Sequence, residues 1–420
     1  MTVADARQTH WQAAEALRAA DPLIADLLTA EDERRADSLQ LLAGENLATP
    51  AVLAALAGPL VDKYAEGYPG RRHHTGCAPA DTVELLAVDR ARELFAAPHA
   101  NVQPRSATSA VLAAYAALLR PGDAVLAMSL EHGGHLSAGS RANFSGRWFQ
   151  FHGYGVREED GLIDLEQVRR LAHEHRPKAI VAGGISYPRH LDWAAFREIA
   201  DEVDAYLIAT AGQSAGLVAA GLAPSPVPYA DVTVVATHKL LRGPRGGLLL
   251  CARELADRID RAVFPFCQGG AAMNEVAAKA VALAQAGTPG FAEYARRAVA
   301  GARALAAALA AAGAAPLTGG TDTHLVTAEV GGLGLTGVEA ERRCAAAGLM
   351  LGRCAVPYDP APPTETSGIR LGTGTCAAQG MAEAELGEVG ELLGRVLAGA
   401  DPASVRGRVR ELAQAFAGRR

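Results

Sequence analysis

Lys239 is the residue whose setting most needs a chemical explanation. It follows an apolar β-type run, Val232–Ala236, and stands between His238 and the loop Gly243-Pro-Arg-Gly-Gly247. A lysine at the end of a buried strand is unfavourable unless it is paired or neutralised. A Schiff base to an aldehyde cofactor such as pyridoxal phosphate is one way to make it tolerable. A second apolar run, Tyr206–Ala211, also stops abruptly, in Gly212-Gln-Ser-Ala-Gly216. Buried parallel strands deliver side chains in this way to the carboxyl edge of an open α/β sheet, where ligands bind.

Three other stretches carry capable side chains. Tyr64-Ala-Glu-Gly-Tyr-Pro-Gly-Arg-Arg-His-His-Thr-Gly-Cys77 is too rich in Gly and Pro for a helix or strand, and such a segment more often lines a site than fills a core. Arg105-Ser-Ala-Thr-Ser109 leads from a short strand into an Ala/Leu helix, which suits a phosphate cradle, although a plain Ser/Thr cap gives the same pattern. Arg370, in Thr366-Ser-Gly-Ile-Arg-Leu-Gly-Thr373, can bind a carboxylate bidentately or form an ordinary surface ion pair. Two rival chemistries have weaker support. His132-Gly-Gly-His135 offers two zinc ligands but no third at suitable spacing, so no metal is expected. Gly212–Gly216 matches a nucleophile elbow around Ser214, with His238 or His324 and Asp231 or Asp322 as partners, a reading that leaves Lys239 and Tyr64–Gly76 unexplained.

The elements that must position these groups alternate. Strands are expected at Asn101–Pro104, Ala124–Met128, Trp148–Gly153, Ala179–Gly184, Tyr206–Ala211, Val232–Ala236 and, as an antiparallel neighbour, Gly247–Cys251. Helices between them, Leu165–His175 and Trp193–Val203 among them, argue for a doubly wound α/β fold with a mostly parallel sheet. Trp11–Glu33 has helical periodicity broken at Asp21-Pro22 and reads as an arm that packs in a dimer. Beyond Gly287-Thr-Pro-Gly290 comes a long Ala-rich helix, then short strands and helices. The expected division is an arm (1–35), a large domain (36–290) and a smaller α+β domain (291–420). The 420 residues can bury a large core, and a net charge of −6 without a basic domain makes nucleic acid or an acidic membrane an unexpected partner. No apolar run is long enough to span a membrane, and six scattered cysteines fit a reducing cytoplasm.

From about Leu41 to the C-terminus the chain resembles the serine hydroxymethyltransferases, pyridoxal-phosphate enzymes of fold type I. The resemblance rests on Asp62-Lys-Tyr-Ala-Glu-Gly-Tyr-Pro-Gly-Arg71, Ala100-Asn-Val-Gln-Pro104, His132-Gly-Gly-His-Leu136, Val227-Pro228, Thr237-His-Lys239, Gly243–Gly247, Gln268-Gly-Gly270, Gly319-Gly-Thr-Asp322 and Thr366–Arg370, in order. It implies that Lys239 forms the Schiff base and that His135 stacks on the pyridine ring. Ser106, Ala107 and Thr108 would hold the phosphate, with Gln268, Gly269 and Gly270 contributed by the neighbouring subunit of a homodimer with shared sites. Arg370 would bind the amino-acid carboxylate, Glu66 would handle the proton of the substrate hydroxyl, and Tyr64 would reach across the dimer. His238 flanks the lysine.

The departures from the family pattern are specific. Thr210 and Gln213 replace the aspartate and histidine of Asp-x-Ala-His, whose aspartate pairs with the pyridine nitrogen. His73 and His74 stand for a tyrosine pair near Glu66, Gly44 for a serine, and Cys354 for an asparagine that contacts the pterin; Glu131 adds a carboxylate before His135. The expectation is therefore aldol-type transfer or cleavage at Cα–Cβ of an α-amino acid, with tetrahydrofolate doubtful and another aldehyde as a possible partner. The alternatives are a different reaction of the same cofactor that needs less carbanion stabilisation, or an inactive paralogue.

Overall fold

The computed structural model describes residues 13–362 and 364–418, so Trp11 lies outside the described residues. Its large sheet has seven strands: β1 (His99–Asn101), β2 (Ala124–Met128), β3 (Gln150–Tyr154), β4 (Ala179–Ala182), β5 (Tyr206–Thr210), β6 (Val232–Ala236) and β7 (Gly247–Cys251). They lie in the order β1-β7-β6-β5-β4-β2-β3. The pairs from β6 through β3 are parallel and β7 is antiparallel to both neighbours, so the sheet is mixed and mostly parallel.

Alternation along the strands explains their near-continuous apolar sequence. Val125, Ala127, Val181, Ile208 and Val234 pack on one face, with the helix Ala107–Leu118. Leu126, Met128, Ile180, Leu207 and Ala209 pack on the other, with the helices Leu165–His175 and Trp193–Glu202. Both faces are covered, as in doubly wound folds, and the side chains that fill them are almost all apolar, with Thr233 of β6 a buried exception.

Several boundaries differ from expectation for local reasons. β1 ends at Asn101 because its side-chain oxygen accepts from the Gln103 N–H at 3.0 Å, an Asx turn that competes with the ladder. β3 starts at Gln150 because Ser145–Trp148 forms a helical turn, with the Asn143 side chain accepting from the Ser145 N–H. β4 stops before Gly183, whose φ is +125°. The Gly/Pro-rich loop after Tyr64 does contain strand, a two-residue hairpin pairing Gly67–Tyr68 with Arg71–Arg72.

The second unit has a four-stranded sheet of β8 (Ala315–Pro316), β9 (Leu325–Glu329), β10 (Gly352–Cys354) and β11 (Gly368–Gly372), ordered β8-β9-β11-β10. The helix Pro289–Ala311 serves both cores: Phe291, Tyr294 and Ala298 pack in the large unit, Ala302, Leu305 and Leu309 in the small one. The expected boundary at residue 290 thus falls inside a helix. The helix starting at Pro22 is capped by Asp21 and exposes Leu23, Leu27 and Leu28. No helix among the described residues is long and apolar enough to cross a membrane.

Candidate active site

The carboxyl ends of β2, β4, β5 and β6, with the amino end of the antiparallel β7, surround a cavity of about 420 Å³. Lys239 enters it just after β6, its carbonyl held by the Asn46 side-chain amide at 3.0 Å. Asn46 also donates to the buried Tyr294 hydroxyl at 2.7 Å, which ties the lysine turn to the long helix Pro289–Ala311. Burial, then the Arg370 and Arg245 charges, pull the Lys239 amine down to about 8. A neutral, nucleophilic amine is therefore accessible near physiological pH. His238 beside it is held down to about 4, by burial first and then by Arg245 and Lys239.

The remaining walls are set by strand ends. Thr210, the last residue of β5, donates its hydroxyl to the Ala182 carbonyl at 3.3 Å. Gly183 permits this approach: a Cβ there would stand 2.3 Å from the Thr210 hydroxyl oxygen. Gln213 reaches the Ile185 carbonyl at 3.5 Å, while its own side-chain oxygen is buried without a hydrogen-bond partner. His135 faces the cavity with Nδ1 accepting from the Ser137 amide at 3.1 Å and lying 2.7 Å from the Ser137 hydroxyl, which places its proton on Nε2. Burial, then Lys239 and Arg370, hold this imidazole below its usual value and neutral. Ser106 caps the helix Ala107–Leu118, accepting from the Ser109 N–H at 2.9 Å, so that helix points its amino end into the cavity beside Ala107 and Thr108. Arg370, on β11, donates through Nη1 to the Ile185 carbonyl at 3.0 Å and the Ser186 hydroxyl at 3.3 Å. It is no surface ion pair, and its other N–H groups are left for a ligand.

The charge inventory of this cavity is lopsided. Lys239, Arg245 and Arg370 line it, together with a helix amino end, and Glu45 is the single carboxylate, exposed at the rim beside Gly44. Such a site suits a ligand with two anionic groups, one at each end. These residues fit pyridoxal phosphate: an amine for the aldehyde, a cradle for the phosphate and a flat neutral imidazole between them.

Tyr64, Glu66, His73 and His74 do not line the cavity within one chain. They form a separate cluster in which Glu66 accepts from the Tyr64 hydroxyl at 3.3 Å and lies 3.2 Å from His74 Nε2. Tyr64 and His74 meet edge to face at 4.9 Å, and His73 packs on Phe264. Gln268 donates to the Gln103 carbonyl at 3.2 Å, and Gly269 and Gly270 lie against Glu66. Sequence reasoning assigned no role to what holds this loop. Arg72 pairs with Asp81 at 2.7 Å and Glu84 at 2.6 Å and donates to the carbonyls of Ala65 and Gly67. Glu84 is buried, and its other oxygen accepts from Gln103 at 2.7 Å. A carboxylate in mid-helix on an apolar stripe was the available signal, twelve residues from the arginine it serves. Ser137 was likewise missed, two residues after the histidine it orients.

Ser214 makes no hydrogen bond to a histidine among the described residues, and His324 lies buried with neither ring nitrogen partnered. A larger cleft, about 780 Å³, opens at the opposite edge of the sheet around Lys178, Arg197 and Tyr229, away from all the groups above.

Comparison with known proteins agrees with this geometry. The family model described as serine hydroxymethyltransferase matches residues 17–393. A serine hydroxymethyltransferase of Desulforapulum autotrophicum is 48% identical over 402 residues, which cover 96% of this chain and 97% of that relative.

Proposed function

The chain belongs to the serine hydroxymethyltransferase family, and from that premise we propose that it joins or cleaves Cα–Cβ bonds of amino acids with an aldehyde, using tetrahydrofolate poorly. Membership makes it a pyridoxal-phosphate-dependent transferase of fold type I with aldol-type chemistry at Cα–Cβ. The choice of partner is the proposal. When bound, the cofactor supplies an electron sink for the pair left on Cα as a bond to it breaks.

Lys239 would hold the cofactor aldehyde, Ser106, Ala107 and Thr108 would receive its phosphate, and His135 would pack on its ring. Arg370 turns its unused N–H groups to the substrate carboxylate. Glu66 takes the proton of the substrate β-hydroxyl as that carbon becomes a carbonyl and leaves, and returns it in the reverse direction. Tyr64, Glu66, His73, His74 and Gln268–Gly270 come from a second copy of the chain. Their separation from the Lys239 cavity within one chain supports this, as do the exposed apolar side chains Leu23, Leu27, Val61 and Phe266. A reducing compartment such as the cytoplasm accords with six unpaired cysteines.

The observation that carries the folate reading is the set of side chains where the family places pterin contacts. Cys354, His73 and His74 stand there, and the Cys354 thiol is driven up to about 12 by burial, so it stays neutral and a poor hydrogen-bond partner. An unpaired polar ligand group costs about 1–3 kcal/mol. The test is aldehyde release from a panel of 3-hydroxy amino acids without folate, beside serine turnover and calorimetric titration with tetrahydrofolate. Folate-independent cleavage and weak titration are expected; tight folate binding with dominant serine turnover overturns the reading. The second reading, a reaction needing less carbanion stabilisation, draws on Thr210, whose hydroxyl is engaged by a backbone carbonyl and brings no negative charge.

A further inference from the structure

The helix Met273–Ala286 carries a lysine that none of the chemistry above uses. Lys279 is completely buried. Its ammonium donates to the carbonyls of Val102 at 2.7 Å, Pro104 at 2.8 Å and Gly247 at 3.1 Å. All three acceptors are neutral. The nearest carboxylates are engaged elsewhere, Glu84 with Arg72 at 2.6 Å and Glu275 with Arg105 at 3.4 Å. Among the described residues no carboxylate lies within ion-pair distance of Lys279. A buried cation solvated only by carbonyls is expensive, and burial pulls this one down to about 7. An apolar side chain would pack the same space at no such cost. The charge itself therefore calls for a purpose on the far side of the backbone it grips.

That far side is the candidate phosphate cradle. Pro104 stands two residues before Ser106, and the Gly247 N–H bonds the Pro104 carbonyl at 3.0 Å. Gly247 lies so near Ser106 that a Cβ would stand 2.4 Å from the Ser106 carbonyl oxygen. Gly246 lines the cavity, and a Cβ there would stand 2.4 Å from Lys279 Cε. One layer of backbone thus separates the ammonium from the cavity wall at the amino end of the helix Ala107–Leu118.

We propose that Lys279 is a positioning residue for the cofactor phosphate, a countercharge set behind the cradle that also gathers the Val102, Pro104 and Gly247 segments into its shape. This rests on the assignment of pyridoxal phosphate to the cavity. The test uses the apoprotein and three probes: pyridoxal phosphate, pyridoxal without the phosphate, and inorganic phosphate as competitor. In Lys279→Met, pyridoxal phosphate binding weakens about tenfold or more and pyridoxal less than about twofold, while competition by inorganic phosphate fades in parallel. Gly246→Ala, which keeps the lysine but displaces its ammonium, has the same selective effect. Equal weakening of both cofactor forms, no weakening, or failure of both variants to fold overturns the proposal and leaves Lys279 a clamp on the backbone. Failure of the wild-type protein to bind either form through Lys239 refutes the cofactor assignment instead, so the two failures are distinguishable.

Discussion

The Lys239 cavity and the Tyr64–His74 cluster are both built from chemically capable side chains, yet they are held in different ways. The first is set into strand ends of a sheet covered on both faces, and its lysine, imidazole and arginine all converge within one chain. The second rides on a loop whose shape depends on Arg72 and buried Glu84, and it turns an exposed Tyr64 and a half-open Glu66 outward. Lys239, His135 and Arg370 thus converge within the single chain, whereas in the proposed reaction the proton handling by Glu66 and the Gln268–Gly270 share of the phosphate site come from a second copy. Departures from the family pattern fall in both regions: Lys239, His135 and Arg370 stay while Thr210 and Gln213 are changed in the cavity, and Tyr64 and Glu66 stay while His73 and His74 are new beside them.

The comparison is broken most severely at Lys239. Lys239→Ala is expected to remove turnover by roughly 10³-fold or more, together with the visible absorbance of bound cofactor, because the nucleophile itself is lost. Glu66→Gln is expected to lower turnover by about 10²–10⁴-fold while cofactor affinity, measured by fluorescence titration, is unchanged. An equal loss of cofactor binding would show that the two regions are not separable.

A smaller effect, of opposite sign, is expected at the two positions of the Lys239 cavity that depart from the family pattern. In the proposed site, Thr210→Asp with Gln213→His would place an anion opposite the pyridine nitrogen, and exchange of the glycine α-proton with solvent deuterium, read by NMR, is expected to rise by about tenfold or more. Fast exchange in the wild-type protein would mean that a neutral hydroxyl already suffices.

The smallest effect is on stability. His324 and His238 are held to about 3 and about 4, largely by burial, so the folded state stays neutral where the unfolded state takes up protons below the ordinary 6.5. The unfolded state then binds more protons, and these two histidines make stability fall as pH drops from about 6.5 through about 4 toward 3. The slope above that window belongs to the lowered amines of Lys239 and Lys279. At pH 5 the loss from His324 is on the order of 1–2 kcal/mol, with less from the partly solvated His238. Urea melts at pH 7 and pH 5 measure it, and His324→Leu makes the dependence shallower.

The inner strands were legible because burial on both faces leaves them almost wholly apolar, and Lys239 stood out against that background. Arg370 and Ser106 were legible as types in context. The supports were not: Asn46 meets the Lys239 carbonyl from 193 residues away, and Glu84 finds Gln103 across 19. Such partnerships depend on how elements pack, which periodicity does not encode. Nothing local marks Lys279 in its Ala-rich helix, since the sequence does not show which face lies against the carbonyls of Val102, Pro104 and Gly247. The strand expected at Asn101–Pro104 lies instead at His99–Asn101, because the Asx turn at Asn101 ends the ladder with a residue that also fits a strand.

The loop 185–189 meets the small unit repeatedly. Arg370 bonds Ile185 and Ser186, Thr327 donates to the Ser186 carbonyl at 2.8 Å, Thr321 donates to that of Pro188, and Arg189 pairs with Asp322 and donates to Thr318. Arg370, proposed above to hold the substrate carboxylate, is therefore stitched into the seam between the units. For recombination this makes the small unit a poor cassette. A chimera that takes residues beyond 290 from one relative and the rest from another inherits an arginine aimed by a foreign loop. Only crossovers that carry segment 185–189 along with its partners would keep substrate recognition intact.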